Sequence, residues 1–174
     1  MRAFPIAVTA LAAALVLTAC DSGGSGSGSG SSDQSSKAAS CRFGIEVEPG
    51  NAATTAGDTG NVPVTVTNLD SSPCTLKGFP GIELNSGDAS WTAGRQPGAK
   101  AAKVTLQPDA AATFTITYVR GKSGAKDSAA VKTVKITIPG GGDAKSFPWS
   151  YGAVALKTGD DPNASVSPFQ VAGD

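Results

Sequence analysis

Hydrophobic residues recur at every second position through three stretches between residues 62 and 138, and that spacing limits this part of the chain to pleated strands. Val62-Pro63-Val64-Thr65-Val66-Thr67-Asn68 alternates valine with proline or threonine. Phe114-Thr115-Ile116-Thr117-Tyr118 repeats the pattern with larger residues, and Val134-Lys135-Ile136-Thr137-Ile138 repeats it with lysine and threonine between. The period is two rather than 3.6, so one face of each segment is buried in an extended conformation. β-Branched residues and outward threonines suit such half-buried surfaces. Weaker strand patterns lie at 43–48, 81–84, 103–106, 153–156 and 167–172. Turn residues separate these segments: Pro49-Gly50-Asn51, Asp70-Ser71-Ser72-Pro73, Pro139 to Asp143, and Gly159 to Asn163. The pattern predicts an all-β domain, an antiparallel immunoglobulin-like β-sandwich of about seven to nine strands. Only the alanine-rich patches at 99–102 and 125–131 are compatible with a helical turn, and glycines and charges border both.

The N-terminal part has a different grammar. Arg2 is followed by 16 uncharged residues, Phe4 to Ala19, and then by Cys20 and Asp21. A basic start, an apolar run and small residues at its end form a secretory signal. A membrane-spanning helix needs about 20 apolar residues, and this run stops short at a cysteine. Leu17-Thr18-Ala19-Cys20 reads as a lipobox, in which Cys20 receives diacylglyceryl and palmitate-type chains and becomes the N-terminus after cleavage of 1–19. A plainly secreted protein and an uncleaved anchor are the competing readings. Two or more acyl chains hold a protein stably at a membrane where one does not, so the expected location is the extracytoplasmic face of the cell membrane.

Residues 21–40, DSGGSGSGSGSSDQSSKAAS, contain no aliphatic side chain larger than alanine. Such a segment cannot offset its ordering entropy by burial. We read 20–40 as the lipidated cysteine and a flexible tether, with a root-mean-square reach of roughly 25 Å and about 70 Å at full stretch. Residues 41–174 then form one domain of 134 residues, enough for a substantial core. Arg2 and Lys37 fall outside it, as do Asp21 and Asp33. That leaves 12 basic and 12 acidic residues in a neutral domain, a poor match for nucleic acid. Arg95, Lys100, Lys103, Arg120, Lys122, Lys126, Lys132 and Lys135 outnumber Asp109 and Asp127 between 95 and 135. This local excess either faces anionic lipid or wall polymer, or decorates solvent faces and guards strand edges.

The chain has three cysteines. Assigning Cys20 to lipid leaves Cys41 and Cys74, an even pair in an oxidising compartment, which predicts a disulfide. The residues around the second cysteine also carry a resemblance. A strand ending in Thr67-Asn68, followed by Cys74-Thr75-Leu76-Lys77-Gly78-Phe79-Pro80-Gly81, resembles the actinobacterial lipoprotein family catalogued as domain of unknown function 4232. Leu106-Gln107-Pro108, entering the strand at Phe114, is similar to that family's next block, with Asp109 where a glycine is usual. The resemblance spans roughly 41–139. It implies an exported β-sandwich on a lipid tether with no known activity, and it supports the Cys41–Cys74 bridge. A second cysteine pair found late in many relatives has no counterpart here.

The residue inventory restricts the chemistry. There is no histidine, and Met1 is the sole methionine. A serine or cysteine nucleophile therefore lacks its usual base, and copper or catalytic zinc sites built on His and Met lack their ligands. Ser123-Gly124-Ala125-Lys126 and Lys157-Thr158-Gly159 match the S-x-x-K and K-T-G elements of penicillin-binding enzymes. That chemistry requires a helix, which glycines oppose here, and an S-D-N element, which is missing. Asp160-Asp161-Pro162-Asn163 lacks the remaining ligands of a calcium loop and reads as a turn. Asn163-Ala164-Ser165 fits the glycosylation triplet without further meaning. Trp91, Trp149 and Tyr151, with Tyr118 nearby in pattern, are the candidates for an aromatic ligand groove; core packing is the competing account for two of the four.

The expected function is that of a membrane-anchored, non-enzymatic binding or scaffolding lipoprotein at the bacterial envelope. Its expected partner is an envelope protein, a wall polymer or a small ligand, with no cofactor, metal or nucleic acid. The alternative is a small-molecule binding or sensing lipoprotein with an aromatic-lined pocket.

Overall fold

The computed structural model describes residues 41–172, so the expected signal segment, Cys20 and the tether lie outside the described residues. Fifteen strands follow in chain order. They begin with β1 (Phe43–Val47), β2 (Thr59–Asn68), β3 (Cys74–Gly78), β4 (Gly81–Asn85), β5 (Ser90–Thr92), β6 (Gly94–Arg95) and β7 (Ala102–Leu106). They continue with β8 (Ala111–Val119), β9 (Ser128–Ala129), β10 (Thr133–Thr137), β11 (Lys145–Pro148), β12 (Val154–Thr158), β13 (Asp161–Pro162), β14 (Ala164–Val166) and β15 (Gln170–Val171). There is no helix among the described residues; Ser128–Ala129 in one alanine-rich patch is strand, and Ala102 opens β7 in the other. The count of fifteen exceeds the seven to nine expected, because seven of the strands are two- to four-residue pieces too short to leave a periodic trace.

One sheet runs β1-β2-β8-β14-β6, with β15 also on β8; the second runs β11-β10-β4-β5. A β3–β7 pair and a β13-β12-β9 sheet complete the architecture, a sandwich of antiparallel sheets. Period-two burial builds the space between the layers. Val62, Val64 and Val66 of β2 and Phe114, Ile116 and Tyr118 of β8 are buried alternately with exposed or half-buried neighbours. Ile82 and Leu84 of β4, Val134 and Ile136 of β10, and Leu76 and Leu106 of the β3–β7 pair join the same core. Phe114 meets Phe169 edge-to-face at 5.7 Å between centroids.

Two departures from simple antiparallel strands have local causes. β14 pairs with β6 in parallel. The segment around β6 changes sheets: the Ala93 amide donates to Ile82 of the second sheet and the Gln96 amide to Val166 of the first. A short strand arriving from the other layer takes its direction from that crossing. The strand expected over 167–172 is reduced to β15, while β14 lies just before it. Pro168 has no N–H to contribute, and the Ser167 hydroxyl replaces a carbonyl as acceptor for the Thr115 amide at 2.9 Å, which breaks the ladder.

Asn68, at the end of β2, is the only polar residue in the fully buried set among the described residues. Its Nδ2 donates to the carbonyls of Ser72 (2.9 Å), Leu106 (3.1 Å) and Gln107 (3.2 Å). With two hydrogens for three acceptors, one hydrogen is shared. Its Oδ1 accepts the Asp70 amide at 3.0 Å, and its backbone bonds both Asp109 and Ala110. Thus one amide ties the β2–β3 turn to the β7–β8 turn. Asp109 adopts φ 60° there, a conformation that short polar side chains tolerate better than others. It explains why a glycine is usual at this position in the family that the motifs resemble.

Cys41 and Cys74 form the expected disulfide, with 33 residues of separation, and join the start of β1 to the start of β3. Asp70 accepts the Arg42 amide at 2.7 Å beside it, and the Arg42 guanidinium donates to the Leu69 carbonyl at 2.9 Å. Replacing both cysteines with serine should lower the unfolding free energy by about 3–4 kcal/mol, the chain-entropy value for a loop of this length. Urea melts of the two forms measure that difference. Asn68→Ala should cost about 2–3 kcal/mol by stranding buried carbonyls. Asn68→Asp should cost more in the same melts, because it points a carboxylate at three acceptors.

Candidate functional site

The aromatic residues expected to line a groove are not brought together as one. Trp91 lies half-buried on β5, whereas Trp149 follows β11, and these strands are opposite edges of the same four-stranded sheet. Three strand spacings, roughly 14 Å, separate them. Trp149 and Tyr151 are only 6% and 8% exposed and pack with Tyr118 in the core. Their rings meet at 4.9 Å for Trp149–Tyr151 and 5.2 Å for Tyr118–Trp149, both edge-on.

The polar ends of this cluster hold backbone. The Tyr118 hydroxyl accepts the Ala53 amide at 3.2 Å and donates to the Tyr151 carbonyl at 3.1 Å. Arg120 Nη1 donates to the carbonyls of Ala53 (2.8 Å) and Tyr151 (3.0 Å), and Trp149 Nε1 to Gly152 (2.7 Å). Two glycines make room. A Cβ on Gly60 would stand 2.4 Å from the Tyr118 ring, and one on Gly152 2.6 Å from the Arg120 guanidinium. Every buried side-chain polar atom among the described residues has a partner. This end of the sandwich is therefore closed, and its aromatic residues serve the fold.

Tyr151 has a more particular task. Bonds from Leu69 N to Arg42 O and from Glu48 N to Pro63 O show that the even-numbered residues of β1 face β2. Proline has no N–H to return, so the Glu48 carbonyl would lack its ladder donor. The Tyr151 hydroxyl supplies it at 2.9 Å.

By the same register, Phe43, Ile45 and Val47 turn their backbone groups toward the open edge of β1. Across the gap lies β11, the edge of the second sheet. Lys145 pairs with Ile136 in register and so lies on the same side of the sheet as that buried residue, although at the sheet's edge Lys145 itself is exposed. Its Nζ spans the seam and donates to the Phe43 carbonyl at 2.9 Å. A lysine reaching across from one edge, with Pro148 further along it, shields both strands from adventitious pairing. Beside this contact opens a cleft of about 460 Å³, with apolar walls from Phe43, Ile45, Ile138 and Ala144, and with Cys41, Arg42, Asp143 and Lys145 around them.

The remaining sequence candidates fall apart in space or in geometry. Ser123 to Lys126 form a loop between β8 and β9 with Gly124 at φ 74°, not the helical turn that S-x-x-K chemistry needs. Asp161 lies in β13 and is 3.6 Å from Lys157, which belongs to the K-T-G triplet. Asp160 is at the tip of the β12–β13 hairpin, and Asp161–Pro162 form its second strand. The basic residues of 95–135 take different roles. Arg120 is inside the aromatic network, Lys135 pairs with Glu83 at 3.6 Å, and Arg95 lies over the Phe79 ring at 5.2 Å. Cys41, Cys74 and Asp70 are close enough to surround a cation, but sulfurs bonded to each other offer no thiolate. Lys145 and the bonding role of Asn68 escaped the sequence reading: a lysine after a glycine-rich turn and an asparagine before a turn are ordinary in composition.

Burial raises the Tyr151 phenol pKa above its ordinary value; the Gly50 amide opposes this, and Tyr118 reinforces it. The folded state thus binds the phenolic proton more tightly than the unfolded chain. Its contribution to stability is complete below the ordinary phenol value near 10 and is lost as pH rises through the folded value. Tyr151→Phe should cost about 1–3 kcal/mol at neutral pH by leaving the Glu48 carbonyl unpaired. It should also flatten the alkaline limb of stability against pH in denaturant melts from pH 8 to 11.

No curated protein matches the chain. The family model described as Domain of unknown function (DUF4232) matches residues 41–170, which contain the disulfide, both main sheets and the cleft. Extending over most of the chain and beginning at Cys41, that match makes the protein a member of the DUF4232 family.

Proposed function

We propose that the chain is exported, acylated on Cys20 and held at the extracytoplasmic face of the cell membrane, where its β-sandwich binds or scaffolds without catalysis. The support for the anchor is the order of segments: a basic start, an uncharged run to Ala19, a cysteine, and a Gly/Ser tract up to the domain. Lipid on Cys20 tethers the domain to the membrane while the tract lets it turn. The reading without catalysis rests on the histidine-free sequence and on polar side chains committed to holding backbone. The observation that carries the binding reading is the apolar cleft of about 460 Å³ beside Cys41. Its volume lies in the usual range of small-ligand sites, about 300–1,000 Å³. The partner is an envelope component: a protein, a wall polymer or a small ligand. A neutral domain gives nucleic acid no electrostatic purchase. An aromatic-lined pocket is the weaker form of the ligand reading, because Trp149 and Tyr151 are buried.

Metabolic labelling with an alkyne fatty acid tests the anchor. The native chain should carry label and sediment with membranes, and Cys20→Ala should lose both. Label that persists in Cys20→Ala, or an unlabelled native chain in the soluble fraction, would sink the reading. Turnover of ester or wall-glycan substrates by the purified chain would overturn its non-catalytic part.

A further inference from the structure

We propose that the cleft between β1 and β11 binds a single-chain anionic amphiphile, with the acyl chain against Phe43, Ile45, Ile138 and Ala144 and the head group on Lys145. This deepens the binding reading above and rests on it for the membrane as the nearby source of ligand. The walls supply the first part of the argument. Phe43 and Ile138 are core residues whose remaining surface lines the cleft, and half-buried Ile45 and Ala144 extend that apolar lining. A volume of about 460 Å³ is in the lower half of the range for small-ligand sites, which favours one chain over a two-chain lipid.

Charge supplies the second part. Three charged side chains line the cleft: Arg42, Asp143 and Lys145. Arg42 is already matched, since Asp70 accepts its amide at 2.7 Å and lies 3.6 Å from its Nε. Asp143 is exposed on the loop after β10. Lys145 spends one of its three donors on the Phe43 carbonyl, and the ion pairs among the described residues do not include it. Two donors of a cation thus remain for a ligand beside an apolar wall. A carboxylate or phosphate on a hydrocarbon chain answers both features, a neutral chain answers one, and a cationic amphiphile is repelled. Position supplies the third part. Cys41 lines the cleft and is also where the expected tether joins the domain, so the cleft lies beside the point of attachment.

Photo-crosslinking of the full chain in phosphatidylcholine nanodiscs tests the assignment. Three probes share one diazirine-bearing tail and differ in head group: carboxylate, phosphate and trimethylammonium. Peptide mapping should place adducts on 41–45 and 138–145. The anionic probes should label there at least about fivefold more than the cationic one, the discrimination expected of a partly solvated ion pair. Lys145→Arg should keep that preference, Lys145→Glu should reverse it, and Ala144→Trp should block labelling while the melting temperature holds. Preference between carboxylate and phosphate separates a free fatty acid from a lysolipid-type ligand; both support the proposal. Equal labelling by the three heads, adducts elsewhere in the domain, or indifference to Lys145→Glu overturns it. Crosslinks between two copies along β1 also overturn it, because the seam would then be an interface. Loss of cleft labelling with Cys20 acylation intact rejects the ligand and leaves the anchor standing; cleft labelling in a chain that is not acylated rejects only the anchor.

Discussion

The side-chain amide of Asn68 holds together parts of the fold that neither sheet can hold alone. β2 is the spine of the first sheet, paired with β1 on one side and β8 on the other. The chain leaves it for a separate β3–β7 pair and returns through β8. At that junction, the carbonyls of Ser72, Leu106 and Gln107 converge on the buried Asn68 amide. Left unpaired, each would cost on the order of 1–3 kcal/mol. Asn68 satisfies three with its donors and uses Oδ1 on the Asp70 amide. Asp70 in turn receives Arg42 beside the Cys41–Cys74 bridge. The covalent staple and the polar junction are therefore neighbours, and the loops between β2 and β3 are fixed from two directions.

A second constraint comes from Pro63. A proline in a central strand interrupts a ladder, and here the interruption falls where β1 ends. The lost donor is replaced by Tyr151, from a segment more than a hundred residues after Glu48 in the chain. That bond turns a local defect into a long-range tie. It draws the loop after β11 against the end of β1 and brings Trp149 and Tyr151 into the core beside Tyr118. The aromatic residues are thus consumed at one end of the seam between the sheets, and Lys145 guards the opposite end of β1.

The strands were legible where packing follows period two. Val62 to Asn68 and Phe114 to Tyr118 lie inside β2 and β8, and Val134 to Thr137 lie inside β10 with Ile138 just past its end, because each buries one face against a neighbouring layer. The disulfide was legible from cysteine number and the expected export, and the family from the Cys74 to Gly81 motif. Short strands such as β6 and β13 were not, since two residues contain no period. Nor was the seam. Lys145 is remote in sequence from Phe43, and nothing in KSFP marks its first residue as the one that crosses the seam. Its role depends on the β10–β11 register and on which edges the sandwich leaves facing each other. The groove expected from Trp91, Trp149 and Tyr151 failed for a related reason: composition counts aromatic residues, but sheet order decides which of them meet.

These constraints also bear on where a domain of this kind can bind anything. A sandwich must bury the space between its sheets, yet both sheets end in edge strands, and the gap between β1 and β11 is open along one side. Closing it fully would require another strand or larger side chains. The chain instead closes one end with the Tyr118–Trp149–Tyr151 cluster and crosses the other with a single lysine. A lysine bridge is weaker than a packed aromatic wall, because its ammonium exchanges a backbone carbonyl for water or an anion at small cost. Release of the Lys145 bond would therefore leave Asn68, the disulfide and the aromatic cluster in place. Stability and access are separated along the same seam, and the access lies beside Cys41.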